Sequence, residues 1–480
     1  MTLSKLLILE FELMIFSFED QLVFAELSQD YNPMHCDEVL ARRFIYGEPV
    51  VHGINAMIVA IREWSQSSNT MFLIERLRCK FTKPIFLNKK ILFEIKNIDD
   101  KVKINLIQDD EIKMRIIMSL DSIEQKNEVI KEFDSFTEGQ PNNISFEELR
   151  GYSKTINCSI NKKLAEDYYS QEFIKKIGYK QLAEIISFSR IVGMHAPGLN
   201  SIFSELSFFK NVNESNDIFF KVESVDERFN IINIESNGPN FKSDIKAFYR
   251  PLQVKQKNIQ ELKKNLYIDE FKNFRALVIG ASRGLGELTA KCLGFGGASM
   301  LLTYARGKND ILNVLDDIQK YNNNISITSF DVTKMEDKDF DIINEFKPTH
   351  VFYYATPFIF NGIKNKFSEE IYQNFKIYYL DAFEILVRNL AMLNININFL
   401  YPSSVAVEDK PSDMLEYSKA KKEGEDLCLK LTNEYSNLRI LCPRLPRLET
   451  DQTVSLSLVK NEDPIKILKI IRSMNDKDQF

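Results

Sequence analysis

The chain has 480 residues, 44% hydrophobic and 27% charged, the balance of a globular protein long enough for about three domains. Lys and Arg number 62 against 68 Asp and Glu, and the formal charge of −6 offers no net pull toward nucleic-acid phosphates or anionic lipid. Six scattered cysteines (Cys36, Cys79, Cys158, Cys292, Cys428, Cys442) form no C-x-x-C pair, so neither a zinc knuckle nor a disulfide framework is expected, and a reducing cytoplasmic setting is.

The opening MTLSKLLILEFELMIF is apolar, but Glu10 and Glu12 interrupt it and no small-residue cleavage site follows, so it does not read as a signal peptide. No apolar run approaches the roughly 20 residues needed to cross a bilayer. Between Met71 and Leu120, ERLRCKF, KKILFEIKNI, KVKINLIQD and EIKMRIIMSL are four β-rich runs separated by Pro84, Asn88 and two Asp-Asp pairs, the pattern of an antiparallel meander. The helix-like GINAMIVAIREW precedes them. The same arrangement recurs as KQLAEIISFSRIVGMH followed by SELSFFK, DIFFKVESV, FNIINIES and FKSDIKAFYR, which reads as an internal duplication. After Pro251 a polar stretch reads as a linker. RALVIGASRGLGELTAK then opens an alternation of strands and helices, ISITSFDVT, HVFYYAT, INFLYPSS and LRILCPRL being the later strands, as expected of a parallel nucleotide-binding sheet.

In FAELSQDYNPMHCD, Asp30 and His35 lie five residues apart around Asn32-Pro33. Pro33 fixes its own φ and drives Asn32 toward extended backbone, so the chain turns between the two titratable groups. A carboxylate and an imidazole at one small site can share a water molecule, the pair needed to add water to an activated double bond or remove it. His52-Gly53 stands at the start of the apolar helix, whose N–H groups can stabilise a thioester oxygen as it takes on enolate charge. The alternative for an isolated D-x-N-P-x-H is an Asp turn followed by a solvated histidine. The whole stretch from Phe18 to Gly53 resembles the MaoC-like (R)-specific enoyl-thioester hydratase/dehydratase family of hotdog folds. The resemblance implies that Asp30 and His35 are the catalytic pair and that Gly53 supplies an oxyanion contact. The second repeat has GMHAPG where that motif would stand, which is similar to double hotdogs with one silent half; His195 is expected to be a satisfied structural histidine. The four histidines show no metal-ligand spacing, and no metal is expected.

In LVIGASRGLGELTAK, Gly280, Gly284 and Gly286 follow a strand and open a helix, an arrangement that lets backbone approach a pyrophosphate. Further on, Ser404 lies thirteen residues before Tyr417, and Tyr417 four before Lys421. On a helix, i and i+4 share a face, so the Lys421 ammonium is expected to lower the pKa of the Tyr417 phenol while Ser404 holds the substrate oxygen. From about Arg275 to Thr453 this motif order resembles the short-chain dehydrogenase/reductase family. The resemblance implies cofactor contacts from Gly280, Ser282, Arg283, Gly284, Gly286, Asp331, Tyr417 and Lys421. The second strand ends in TYARG with no acidic residue for a ribose hydroxyl; Arg283 and Arg306 are placed to meet a 2′-phosphate, so NADPH is expected over NADH. Three features depart from the family. Tyr353-Tyr354-Ala355-Thr356 replaces Asn-Asn-Ala-Gly, Tyr379 stands where a catalytic asparagine is usual, and Pro443 to Pro446 reads Pro-Arg-Leu-Pro.

The expected fold is an α+β double hotdog followed by an α/β Rossmann-type doubly wound parallel sheet. Residues 1–125 are expected to be the catalytic hotdog, 126–252 a non-catalytic repeat, 253–272 a linker and 273–480 the reductase. The expected activity is reduction of a 3-oxoacyl thioester with NADPH and interconversion of (R)-3-hydroxyacyl and trans-2-enoyl thioesters, in fatty-acid-like or polyketide-like chain assembly. The carrier, coenzyme A or an acyl carrier protein, stays open. Neither nucleic acid nor membrane is an expected partner, and a homo-oligomer is a family-level expectation. Two other readings remain: a reductase whose hotdog half only binds acyl thioesters or dimerises, and a hydratase on a degenerate NADP-binding scaffold.

Overall fold

The computed structural model describes residues 9–10, 14–68, 70–122, 130–133, 139–211, 216–456 and 459–475. Most of the apolar opening segment and the expected repeat boundary at 125/126 lie outside the described residues. The chain divides into two compact units, one of Met1–Arg42 and Glu48–Leu252, the other of Arg43–Gly47 and Gln253–Phe480. Among the described residues no helix is long and apolar enough to cross a membrane.

In the first unit, helix α1 (Phe18–Ser28) opens with a capping box in which Ser17 and Asp20 satisfy each other's backbone N–H groups. Helix α2 (Gly53–Ser65) is apolar all round and wholly enclosed from Ile54 to Ile61, as a helix wrapped by a sheet must be. Strands β1 (Phe72–Phe81), β2 (Lys90–Ile98), β3 (Lys101–Gln108) and β4 (Glu111–Ser122) follow it. In β3 the enclosed Val102, Ile104 and Leu106 alternate with outward Lys101, Lys103 and Asn105. After the edge strand β5 (Ser153–Asn157), helix α3 (Tyr179–Arg190) runs directly into a π-helical turn, Ile191–His195. Then come β6 (Ser201–Lys210), β7 (Asp217–Asp226), β8 (Ile231–Asn237) and β9 (Phe241–Tyr249).

These strands form one antiparallel sheet in the order β2-β3-β4-β1-β6-β9-β8-β7-β5, with short strands Leu9–Glu10 and Met14–Ile15 on β2. The simple meander expected from sequence is corrected. In each repeat the first strand pairs with the fourth and not the second; in the first repeat the segment between Thr82 and Lys89 carries the chain across the sheet. That leaves β1 and β6 free to pair with each other, from Arg76 against Phe209 to Lys80 against Glu205, and join the two repeats into one sheet.

The second unit is a six-stranded parallel sheet built from β10 (Arg275–Ile279), β11 (Ser299–Tyr304), β12 (Ile325–Ser329), β13 (His350–Tyr353), β14 (Ile397–Leu400) and β15 (Leu438–Leu441). Its order, β12-β11-β10-β13-β14-β15, has the reversal between β10 and β13 of a dinucleotide-binding sheet. Successive residues of β10 enter opposite cores. Ala276 and Val278 pack with helices α4 (Gly284–Phe295) and α5 (Lys308–Gln319), while Leu277 and Ile279 pack with α6 (Ala382–Ala391) and α7 (Leu415–Glu434). The stretch 253–272, expected as a linker, is part of this unit: Ile259, Leu262 and Phe271 are fully buried in it, an apolar stripe within an otherwise polar run.

Candidate active sites

Helix α1 ends at Gln29, whose φ of 59° turns the chain so that Asp30 points inward. Asn32 takes the extended conformation that Pro33 demands, and its side-chain oxygen accepts the Met34 N–H at 3.1 Å, capping the helical turn Pro33–Cys36 that carries His35. His35 Nδ1 lies 2.7 Å from Val50 O; a carbonyl only accepts, so Nδ1 carries the proton and Nε2 keeps its lone pair. The ring of the fully buried His52 stacks on His35 with centroids 3.9 Å apart. His52 Nε2 is 3.1 Å from Asp30 O and Nδ1 3.1 Å from Gln21 Oε1.

The structure thus brings Asp30 and His35 together, as expected, and adds partners from the second repeat. Ser189, at the end of α3, donates to Asp30 Oδ2 at 2.7 Å, while the Asn32 N–H donates to Oδ1 at 3.2 Å. The Asn32 amide donates to Gly193 O and Gly198 O, both at 3.0 Å. A Cβ on Gly193 would stand 2.2 Å from Asp30 Oδ1, so glycine in the π-helical turn is what admits the carboxylate. Burial pushes the Asp30 carboxyl up to about 7, against the opposing pull of its Ser189 and Asn32 hydrogen bonds, and pushes the His35 imidazole down to about 4. Burial, with the neighbouring His35, holds His52 well below its ordinary range.

Ser189 and Gly193 carried no signal in the sequence beyond their place at the end of the repeated apolar helix. The linear spacing also hid a cluster: one ligand-type atom from each of Asp30, His35 and His52 falls within 4.8 Å of the others. Three of the four imidazole nitrogens in that cluster already face protein oxygens, so it is organised as a hydrogen-bonded acid–base group. His195 needs a correction. It packs against Phe220, and its buried Nδ1 finds no hydrogen-bond partner among the described residues, where a satisfied histidine was expected. Gly53 begins α2 with no side-chain cap over the first N–H groups, and a Cβ there would press to 2.8 Å from the Phe81 ring.

In the second unit, Gly280 takes a φ of 80° at the end of β10, and a Cβ on Gly286 would fall 2.1 Å from Gly280 O. The turn can close only because both are glycine, and it leads through Ser282 and Gly284 into the start of α4. Arg306 is exposed after β11. The Arg283 guanidinium is paired through Nη1 at 2.9 Å with the buried carboxylate of Asp451, from the late LETDQT segment. Asp331 Oδ1 accepts from the Thr333 N–H and hydroxyl, fixing the turn after β12.

Ser404 hydrogen-bonds Tyr417 on α7, and burial pushes that phenol up to about 12. The expectation that Lys421 lowers it is corrected, because the ammonium is turned elsewhere: it donates to Pro402 O at 2.7 Å and lies 3.7 Å from the centroid of the Tyr379 ring. Burial brings Lys421 down to about 7. Pro443 to Pro446 also find a role. Ser403–Ser404 pairs in parallel with Arg444–Leu445, so this segment holds Ser404 in place. Of the unusual tyrosines, Tyr353 and Tyr379 meet at one place, while Tyr354 faces the opposite core. Tyr379 sits in a π-helical turn, Ile377–Asp381, where the Tyr353 hydroxyl donates to Tyr378 O at 2.7 Å and the Tyr401 hydroxyl to Tyr379 O at 3.0 Å. Tyr354 bonds Thr289 at 2.8 Å.

Residues 13–114 match the MaoC like domain, and residues 275–345 match the short chain dehydrogenase family. No curated protein matches the chain. Solved structures similar to it include a short chain dehydrogenase from Salmonella enterica serovar Typhi, at 18% identity over 44% of this chain and 93% of that one, with a TM-score of 0.39. An oxidoreductase from E. coli has 16% identity over 42% and 89%, with a TM-score of 0.38. A short chain dehydrogenase from Shigella flexneri 2a, complexed with NADP, has 17% identity over 41% and 88%, with a TM-score of 0.37. The chain joins a MaoC-like dehydratase domain to a short-chain dehydrogenase domain.

Proposed function

We propose that the protein reduces a 3-oxoacyl thioester with NADPH and interconverts the (R)-3-hydroxyacyl and trans-2-enoyl thioesters, its first two repeats forming a double hotdog with one catalytic centre. The observation that carries this reading is the enclosed cluster in which one ligand-type atom from each of Asp30, His35 and His52 falls within 4.8 Å of the others, with burial displacing Asp30 upward and His35 downward. Environments that push two titratable groups apart assign them their roles. Near neutrality about half of the Asp30 carboxyls hold a proton while His35 is neutral, and this protonated fraction is the state that can eliminate water. His35 Nε2 takes the α-proton, the Asp30 carboxyl gives its proton to the departing hydroxyl, and the N–H groups at Gly53 face the thioester oxygen as it becomes enolate-like. Hydration runs the same transfers backward.

In the second unit the glycine turn at Gly280 to Gly286 is a cradle that a Cβ would fill, and it fits a dinucleotide pyrophosphate. Arg306, with Arg283, would meet a 2′-phosphate. A bound nicotinamide supplies the hydride; Ser404 holds the carbonyl oxygen and Tyr417 gives it a proton. The carrier is coenzyme A or an acyl carrier protein, and the setting is cytoplasmic acyl-chain assembly, with self-association through the reductase half.

The test is NADPH absorbance decay with 3-oxoacyl thioesters, products being resolved by mass. Hydroxyacyl and enoyl products together, the enoyl lost in Asp30→Asn, support the two-step reading; hydroxyacyl alone removes the dehydratase. An absence of NADPH oxidation selects a second reading, hydration on a silent reductase.

A further inference from the structure

Lys421 is enclosed on α7, and Pro402 O is its hydrogen-bond acceptor. Three aromatic rings surround it, with centroids of Tyr379, Tyr401 and Tyr417 at 3.7, 5.0 and 5.9 Å. An ammonium has three donors to satisfy, and burial with too few acceptors disfavours its charge. A ring face at 3.7 Å compensates through its quadrupole. The Tyr379 ring is held from both ends: its hydroxyl pairs with Thr356 Oγ1 at 2.5 Å, and its carbonyl accepts from Tyr401. Tyr401 reaches that carbonyl past Gly424, where a Cβ would stand 2.1 Å from its hydroxyl. A glycine inside a twenty-residue helix weakens the helix, and here it makes room for this contact.

We propose that Tyr379 is a positioning residue of the reductase, the face of its ring holding the Lys421 ammonium charged and fixed beside Tyr417. The proposal rests on the reductase reading above. Glu425, Cys428 and Cys442 also act on Lys421, and Glu425 is itself tied to Arg444 and Ser403, so Tyr379 is the partner that can be altered without touching a charge.

Two readouts test it on the full chain. In protein labelled with ¹³C-lysine, the Lys421 Hε signal, assigned with Lys421→Arg, lies upfield from the ring current and titrates near neutral pH. Tyr379→Phe keeps both features. Tyr379→Leu loses the upfield shift and lowers the midpoint by about one pH unit. The alkaline limb of NADPH oxidation follows by the same unit, a tenfold loss above the limb, and stays in place in Tyr379→Phe, whose thermal unfolding serves as the folding control. A Lys421 midpoint unmoved in Tyr379→Leu, or moved equally in Tyr379→Phe, overturns the proposal while leaving the reductase standing. Wild-type protein that oxidises no NADPH overturns the reductase reading itself, and with it any positioning role.

Discussion

Asp30→Asn separates the energetic cost of the catalytic carboxyl from its chemistry. In the folded protein this carboxyl is fully enclosed and titrates at about 7, against 3.8 as its ordinary value. Three pH units of displacement, at about 1.4 kcal/mol each, put the cost of ionising it in place at about 4 kcal/mol. The sign follows from proton binding. A folded pKa above the unfolded one means that the native state holds its proton between about pH 4 and pH 7 while the unfolded chain has released it, so the stability this group contributes is lost as pH rises through that window. Asn cannot ionise, and its oxygen still accepts from the Asn32 N–H. Between pH 4.5 and 7.5 the stability of Asp30→Asn relative to wild type therefore rises by about 3 kcal/mol. Urea titrations followed by Trp64 fluorescence measure this directly, since Trp64 is the single tryptophan of the chain and lies nearly buried on α2. Curves for the two proteins that stay parallel across this range would refute the buried neutral carboxyl, and the acid–base assignment built on it.

Ser189→Ala removes the 2.7 Å bond that draws Asp30 down, so the acid limb of enoyl-thioester hydration moves to higher pH, with about tenfold less activity at pH 7; pH–rate profiles show it. Gly193→Ala drives a methyl group to 2.2 Å from Asp30 Oδ1, and hydration falls at least about 100-fold while circular dichroism stays native. Gly286→Ala pushes against Gly280 O at 2.1 Å and weakens NADPH binding at least about tenfold, read by fluorescence titration.

Local chemistry made part of this protein legible in its sequence. The D-x-N-P-x-H turn is specified by Asn32 and Pro33 themselves, and the period-two strands, the glycine turn and the Tyr417/Lys421 spacing are likewise short-range signals. What stayed hidden depends on packing across long separations. Ser189 meets Asp30 from 159 residues away, and only the docking of α3 decides that. Helical spacing places Lys421 and Tyr417 on one face but does not aim the ammonium, and Tyr379 and Pro402 attract it instead. The Arg283 side chain stands just before a helix start as expected, yet it pairs with Asp451, which no local pattern links to it. Strand order was misjudged for the same reason. A period of two identifies strands, whereas pairing partners are fixed by the loop between β1 and β2.

The position of Ser189 and Gly193 bears on how such a protein could arise and how it can be taken apart. A gene fragment ending after β4 would encode Asp30, His35 and Gly53 and still yield no working centre, because the groups that cradle the carboxyl are translated from the other half. Two such fragments could complement each other only by each offering its partner the same serine and glycine, which is what an ancestral pair of identical chains would have done. The second repeat thus supplies the support for a carboxyl that lies in the first.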